Sequence, residues 1–357
     1  MSDFFEIDFL DVKSKKSGDA IPLRYSINGK IRIHVTDGGY QDTGDLVVKH
    51  INKYYDSPKY IDAVIVTHPD GDHAGGLRRL FGEYEIGALW MLRPWLYAGE
   101  LIDRFSRFTS VENLAKRLKE LYPNLAALEE LAIEHNVAIM EPFQGTLIGD
   151  FHVLAPSKDR YLDLIVESDR TPEATMEQER SFAEAAGKFW KKAVNFIRSA
   201  WGDEYFPEDD TSAENNMSVI QYACLCDKKI LLTGDAGRAA LHEAADFAPN
   251  VGLFLPGIDR IQVPHHGSRH NVSTEVLDRW LGPRFDDKPA SETFTAIVSA
   301  AKADEDHPRK SVVRAFIHRG AKVISTEGSD KRTGHNAPDR EGWVTVEPMP
   351  YPEDQED

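Results

Sequence analysis

The sequence predicts an α/β fold, and three observations carry that prediction: two stretches alternate with strand period, one apolar run opens onto a polar loop, and the last third repeats short apolar segments with polar ends. Phe5, Ile7 and Phe9 alternate with Glu6 and Asp8, and Ile31, Ile33 and Val35 alternate with Arg32 and His34. This pattern suits sheets with one buried face. Asn28-Gly29 reads as a turn between strands. The run Ala63-Val64-Ile65-Val66 suits a central strand buried on both sides. His-Pro-Asp-Gly-Asp-His follows at 68–73, and Leu77, Leu80 and Phe81 then recur at helical spacing.

With 357 residues, 41% of them hydrophobic, the chain can bury a substantial core. A net charge of −17, from 59 acidic and 42 basic residues, argues against a surface that coats polyanions nonspecifically and still permits a local positive groove. No apolar run reaches the roughly 18 residues of a membrane span, and MSDFFEIDFL lacks the plan of a signal peptide, so a cytoplasmic protein without membrane contact is expected. Cys224 and Cys226, two apart in an apolar stretch, read as reduced, buried thiols.

A single domain is expected over 1–345, with an acidic tail at 346–357. Stretches at about 97–140 and 171–205 are rich in Leu, Ala, Glu, Lys and Arg and read as helical insertions, serving as a lid or homo-oligomer surface or else packing as plain layer helices. FHVLAP between them reads as a strand. The last third returns to strands: KKILLTGD runs into Asp235, RIQVPHHGS into His265 and His266, and TAIVSAAKADEDHP towards His307.

His68, Asp70, Asp72 and His73 place two imidazoles and two carboxylates on one strand-to-helix loop, where Gly71 permits tight backbone geometry. Such donors suit a divalent metal. A polar turn with carboxylates bonded to amides would explain this loop alone. It does not explain why metal-type residues recur after two later strands, at Asp235 and at His265-His266.

These motifs resemble those of the metallo-β-lactamase superfamily, whose signature is H-x-H-x-D-H followed by distant His, Asp and His ligands. The β-lactamase-like domain of ComEC-type DNA-uptake channel proteins is more similar still, with Asp as third residue of the motif, TGD, HHGS and an HP here represented by His307-Pro308. Its opening strand and D-G-G turn resemble FEIDFLDV and Asp37-Gly38-Gly39. The resemblance covers roughly residues 4–95 and 210–330. It implies an αββα sandwich with helical insertions and a site for two divalent ions, zinc or manganese. By position, His68 and Asp70 would bind one ion, Asp72 and His73 the other, Asp235 would bridge, and one of His265 and His266 would complete the second site. Asp70 stands where a second histidine is usual. No separate third-motif histidine is evident, His152 being the nearest candidate. An oxygen-richer site shifts preference from zinc towards manganese or magnesium.

Two ions would make phosphodiester hydrolysis the natural reaction, with nucleic acid or a nucleotide as substrate. Asp72 could orient the attacking water, and His307 could protonate a leaving alkoxide or contact a phosphate. Ser268, Arg269 and His270 are substrate-binding candidates, although for Ser268, as for Thr233, a turn-stabilising hydroxyl is the stronger reading. Asn215-Asn216 and Asp37 read as turn residues. The competing readings are a metallohydrolase of a thioester, lactone or amide, and a non-enzymatic binding module with a decayed site.

Overall fold

The computed structural model describes residues 2–168, 170–171 and 196–356. Two seven-stranded sheets form the centre. The first runs in the order Lys331–His335, Phe4–Phe9, Ala20–Ile27, Lys30–Gly38, Tyr60–Ile65, Glu85–Trp90, Ala138–Met140. The second runs Ala321–Ser325, Phe294–Val298, Arg260–Gln262, Lys228–Leu232, Ile220–Leu225, Phe151–Ala155, Leu147–Ile148.

Phe5, Ile7 and Leu23 of the first sheet pack against Phe151, Ile230 and Ile297 of the second in one buried cluster, so the sheets lie face to face. Amphipathic helices cover their outer sides. Gly44–Tyr54 buries Val47, Val48 and Ile51, and Lys310–His318 buries Val312, Val313 and Phe316, residues three and four apart that share one helix face. The layers are therefore αββα.

Each sheet is antiparallel over one half and parallel over the other. The parallel halves are Lys30–Gly38 through Ala138–Met140 and Lys228–Leu232 through Ala321–Ser325. Parallel neighbours need crossover connections, and the loops that leave their carboxyl ends are where open α/β sheets place ligands.

Sequence expectations change at several points, and one open alternative, that for 97–140, is decided. Glu6 and Asp8, expected on a solvated face, are fully buried among the guanidinium groups of Arg24, Arg332 and Arg340. Alternation there reflects an ion-paired second core face. Cys224 is exposed and Cys226 only half-buried, both as free thiols, because the strand turns Cys224 outward and Cys226 sits at positive φ in the following turn. Residues 97–140 supply the helices Val111–Leu121 and Pro123–Glu134 and the edge strand Ala138–Met140. Leu114, Leu118, Leu125 and Leu128 join the core outside the first sheet, so this stretch packs as a layer.

Of 171–205, residues 172–195 lie outside the described residues. Phe196–Arg198 is a strand paired with Asp354–Glu356, and 199–205 are not helical: the carbonyls of Ser199 and Ala200 accept from the buried Arg314. Residues 346–356, set apart as an acidic tail, are docked at their end. The Glu356 carboxylate is buried and accepts from the backbone N–H groups of Lys310 (3.0 Å) and Ser311 (2.9 Å), capping the helix Lys310–His318. No helix among the described residues is long and apolar enough to cross a membrane.

Candidate metal centre

Five loops meet at the carboxyl ends of the parallel strands. Asp37 closes Lys30–Gly38, and residues 66–73 follow Tyr60–Ile65. Asp235 follows Lys228–Leu232, His265 and His266 follow Arg260–Gln262, and the loop reaching His307 follows Phe294–Val298. Glycines let three chain segments interlock beneath them. A Cβ on Gly76 would lie 2.0 Å from the Gly38 carbonyl oxygen, and one on Gly18 would lie 2.7 Å from that of Asp72. A Cβ on Gly71 would meet no atom closer than 3.4 Å, so the tight geometry expected of Gly71 belongs instead to Gly18, Gly38 and Gly76. With Gly18 pressed on the metal loop, Asp19 donates its N–H to the Asp72 carbonyl (3.1 Å) and brings its side chain into the centre.

Asp19, His73, Asp235 and His266, all buried, have ligand atoms within 4.8 Å of one another. His73 Nε2 lies 3.2 Å from Asp235 Oδ1, and His266 Nε2 lies 3.7 Å from Asp72 Oδ2. On the other side of Asp235, its Oδ2 is 3.7 Å from His68 Nε2 and 3.6 Å from His265 Nε2, while His68 Nε2 is 3.7 Å from Asp70 Oδ2. Asp235 thus stands between an inner set (Asp19, Asp72, His73, His266) and an outer set (His68, Asp70, His265).

The hydrogen bonds behind these groups fix what they present. His73 Nδ1 donates to Asp37 Oδ2 (2.8 Å) and His266 Nδ1 to the Ser299 carbonyl (2.9 Å). Thr67 gives its hydroxyl proton to Asp37 (2.5 Å), so its oxygen accepts from His68 Nδ1 (3.1 Å). Asn271 commits its amide nitrogen to the Asp235 carbonyl (2.8 Å) and turns its oxygen to His265 Nδ1 (2.9 Å). In all four rings Nδ1 is committed as a donor, which leaves Nε2 as the nitrogen a metal ion would take, the arrangement of a metal-ligating histidine. Nε2 of His68, His73 and His266, with Asp19 Oδ1 and Asp235 Oδ1, is buried without any hydrogen-bond partner. Each such orphan costs about 1–3 kcal/mol. Cations suit these atoms, and four carboxylates carry the charge that two divalent ions would balance.

Protonation in the ion-free cluster reflects the same demand for positive charge. Burial opposes charging His73, yet Asp235 and Asp37 push its pKa well above the ordinary imidazole value. His266 rises against burial to about 9 because Asp235 and Asp72 face it. Burial works against Asp72 and Asp235 as anions, but His266 and His73 hold Asp72 at about 2, and His73, His265 and His266 hold Asp235 well below the carboxylate range. His68 is lowered by burial and by neighbouring His73. Burial raises Asp19.

The model of the metallo-β-lactamase superfamily matches residues 35–127. The fold is that of the metallo-β-lactamases. The match continues through the helix Val111–Leu121, beyond residue 95, where the motif resemblance ends. ComE operon protein 3 of Bacillus subtilis (strain 168) is 26% identical over 119 residues, which are 33% of this chain and 13% of that protein. Solved structures of similar fold include a mutant of the β-hydroxylase CmlA (12% identity, TM-score 0.43, covering 93% of this chain and 54% of that one). A diphosphatase of the PhnP family is another (10% identity, TM-score 0.35, 92% and 98% covered).

Within this centre the structure brings together His68, Asp70, Asp72, His73, Asp235, His265 and His266. His265 and His266 both aim Nε2 at Asp235, from opposite sets, because both take left-handed backbone conformations (φ 45° and 55°) in the turn. His307 packs beside them, its ring centroid 5.6 Å from that of His265, and its Nδ1 lies 3.3 Å from Asp304 Oδ2. Burial, then His266 and His265, lowers its pKa to about 4. Asn215 Nδ2 sits 3.2 Å from His265 Nδ1 and 2.7 Å from Thr211 Oγ1.

Ser268 closes the turn, its N–H donating to the His265 carbonyl and its oxygen accepting from His270 N–H. His270 Nδ1 is directed to the Asp209 carbonyl (3.3 Å), and the Arg269 carbonyl accepts from Arg238. The Thr233 hydroxyl faces two carbonyl acceptors, Gly234 in its own turn (3.2 Å) and Gln262 on the neighbouring strand (3.1 Å). His152 lies within Phe151–Ala155, opposite Tyr222 and Leu147 in register, and is not in the cluster. Asp37 does set a left-handed turn (φ 57°), but it also orients His73 and Thr67.

Sequence reasoning missed Asp19, Gln262, Asn271 and Asp304. Gln262 Nε2 donates to Asp19 Oδ2 (2.8 Å) while its oxygen accepts from Thr233 and Gly234. Asp304 accepts from Ser17 N–H and Oγ as well as facing His307. Gln262, Asn271 and Asp304 each lie within a few residues of a motif histidine, at 265, 266 and 307, whereas Asp19 adjoins none of these motifs.

Proposed function

We propose that this chain is a metal-dependent hydrolase holding two divalent ions and cleaving phosphodiesters, with nucleic acid or a nucleotide as substrate. The observation that carries this reading is the convergence of four histidines, their Nδ1 atoms committed as donors, on Asp235 and three further carboxylates. Ions held there would supply Lewis acidity that activates water and polarises a phosphoryl oxygen. His68, Asp70, Asp235 and His265 would hold one ion; Asp19, Asp72, His73, Asp235 and His266 would hold the other. Equal numbers of carboxylates and imidazoles favour manganese as much as zinc.

The residues around the centre have separate tasks in this reading. Asp72, about a quarter exposed at its side chain, orients water. His307, steadied by Asp304, contacts the phosphate or the leaving oxygen, and Arg269 and His270 supply cationic and hydrogen-bonding contact to the substrate. Hydrolysis of a thioester, lactone or amide is a second reading, favoured by the net charge of −17.

One substrate panel separates the two. Protein loaded with Mn2+ or Zn2+ is offered a chromogenic phosphodiester, single- and double-stranded nucleic acids, cyclic dinucleotides, a thioester and a lactone. Phosphodiester cleavage that falls at least about 100-fold in Asp235→Ala is the expected result. Intact phosphodiesters, or equal activity in the variant, would sink the proposal.

A further inference from the structure

The two ion positions are not equivalent. The inner one is the more enclosed: Asp19, His73, Asp235 and His266 are buried, four atoms among them lack hydrogen-bond partners, and only Asp72 reaches solvent. The outer one already holds a cation. Arg170 Nη2 pairs with Asp70 Oδ1, the carboxylate whose other oxygen faces His68 Nε2.

This guanidinium is mounted in place. Its Nε lies 3.5 Å from the buried Glu214, and its carbon lies 5.8 Å from the centroid of the Tyr122 ring. Glu214 and Tyr122 are joined through Ser168, whose hydroxyl donates to Glu214 and accepts from Tyr122 (3.3 Å). The Arg170 backbone N–H donates to the same hydroxyl (3.1 Å). A fixed carboxylate, an aromatic face and a hydroxyl therefore define where the guanidinium sits.

We infer that Arg170 is a resident counter-cation of Asp70, so that divalent ions fill the inner position first and enter the outer one only in competition with Arg170. An outer ion must share Asp70 with a positive charge one hydrogen bond away, and like charges at such range repel in a partly buried site. Glu214 gives the displaced guanidinium a second anion to rest on. The outer ion is then the exchangeable one, and its occupancy follows the free metal concentration.

The inference rests on the two-ion reading, and binding measurements separate them. Mn2+ is titrated into metal-free protein, free Mn2+ is followed by electron paramagnetic resonance, and folding is checked by circular dichroism. Wild type should bind one Mn2+ tightly and a second at least about tenfold more weakly. Arg170→Gln, which removes the charge at a half-exposed position, should tighten the weaker site at least about tenfold and leave the tighter one unchanged. Asp70→Asn should lose the weaker site alone. Two Mn2+ of equal affinity in wild type, or a weaker site that Arg170→Gln leaves unchanged or loosens, overturns this inference and leaves the two-ion reading standing. No Mn2+ bound by folded wild type overturns both.

Discussion

Asp37 illustrates how one buried carboxylate can organise a centre it does not enter. Its Oδ2 receives both the imidazole proton of His73 and the hydroxyl proton of Thr67, and through Thr67 it also fixes His68, so two ligands on one loop share a single anchor. Partners of this kind are worth about 10–100-fold in metal affinity. Asp37→Asn offers an N–H where an acceptor is needed, so Mn2+ affinity should fall by about that factor while the fold persists. Unchanged affinity in the titration would show that His73 needs no such orientation.

At the scale of elements, the centre depends on how closely loops approach. Gly76 opens the 3-10 turn Gly76–Gly82, donates its N–H to the Gly39 carbonyl (2.9 Å) and faces the Gly38 carbonyl where any side chain would stand. Because the obstacles are backbone atoms, they cannot rotate away. Gly76→Ala should destabilise the fold by about 2 kcal/mol or more, read as a lower denaturant midpoint. A midpoint within error of wild type would mean that the loops separate freely.

Across the whole molecule, the segment after residue 196 is tied to the second helix layer through Arg314 and through one buried acid. The Glu204 side chain is buried, pairs with Arg319 (2.7 Å) and His318 (3.0 Å), and accepts from Thr274 (2.6 Å). Burial alone would raise its pKa, but His318 and Arg319 hold it at about 2, against 4.5 for the ordinary side chain. A depressed acid stabilises the folded state above its unfolded pKa. That contribution, roughly 3 kcal/mol, is lost as pH falls from about 4.5 towards 2. Glu204→Gln should be less stable than wild type near neutrality, and the gap should narrow through this window in urea unfolding. A gap independent of pH would refute the assignment.

The α/β class, several strands and the candidate ligand positions at 68, 70, 72, 73, 235 and one of 265 and 266 were legible in the sequence, because strand period and short-range spacing are local and each candidate adjoins a motif at a strand end. Tertiary structure alone decided that Asp19 joins them, 243 residues from its hydrogen-bond partner Gln262. Asp19 is a single polar residue without a periodic or spacing signal, and Gln262 and Asp304, though near motif histidines, are of residue types common in loops, so only packing shows that they face the centre. Packing also divided His265 from His266, which adjacent positions could not separate, and placed Arg170 on Asp70. It buried Glu6 and Asp8, whose alternation reads as solvent exposure until their guanidinium partners are known. Spacing identifies donors within a loop; which loops meet depends on how sheets and glycine turns pack.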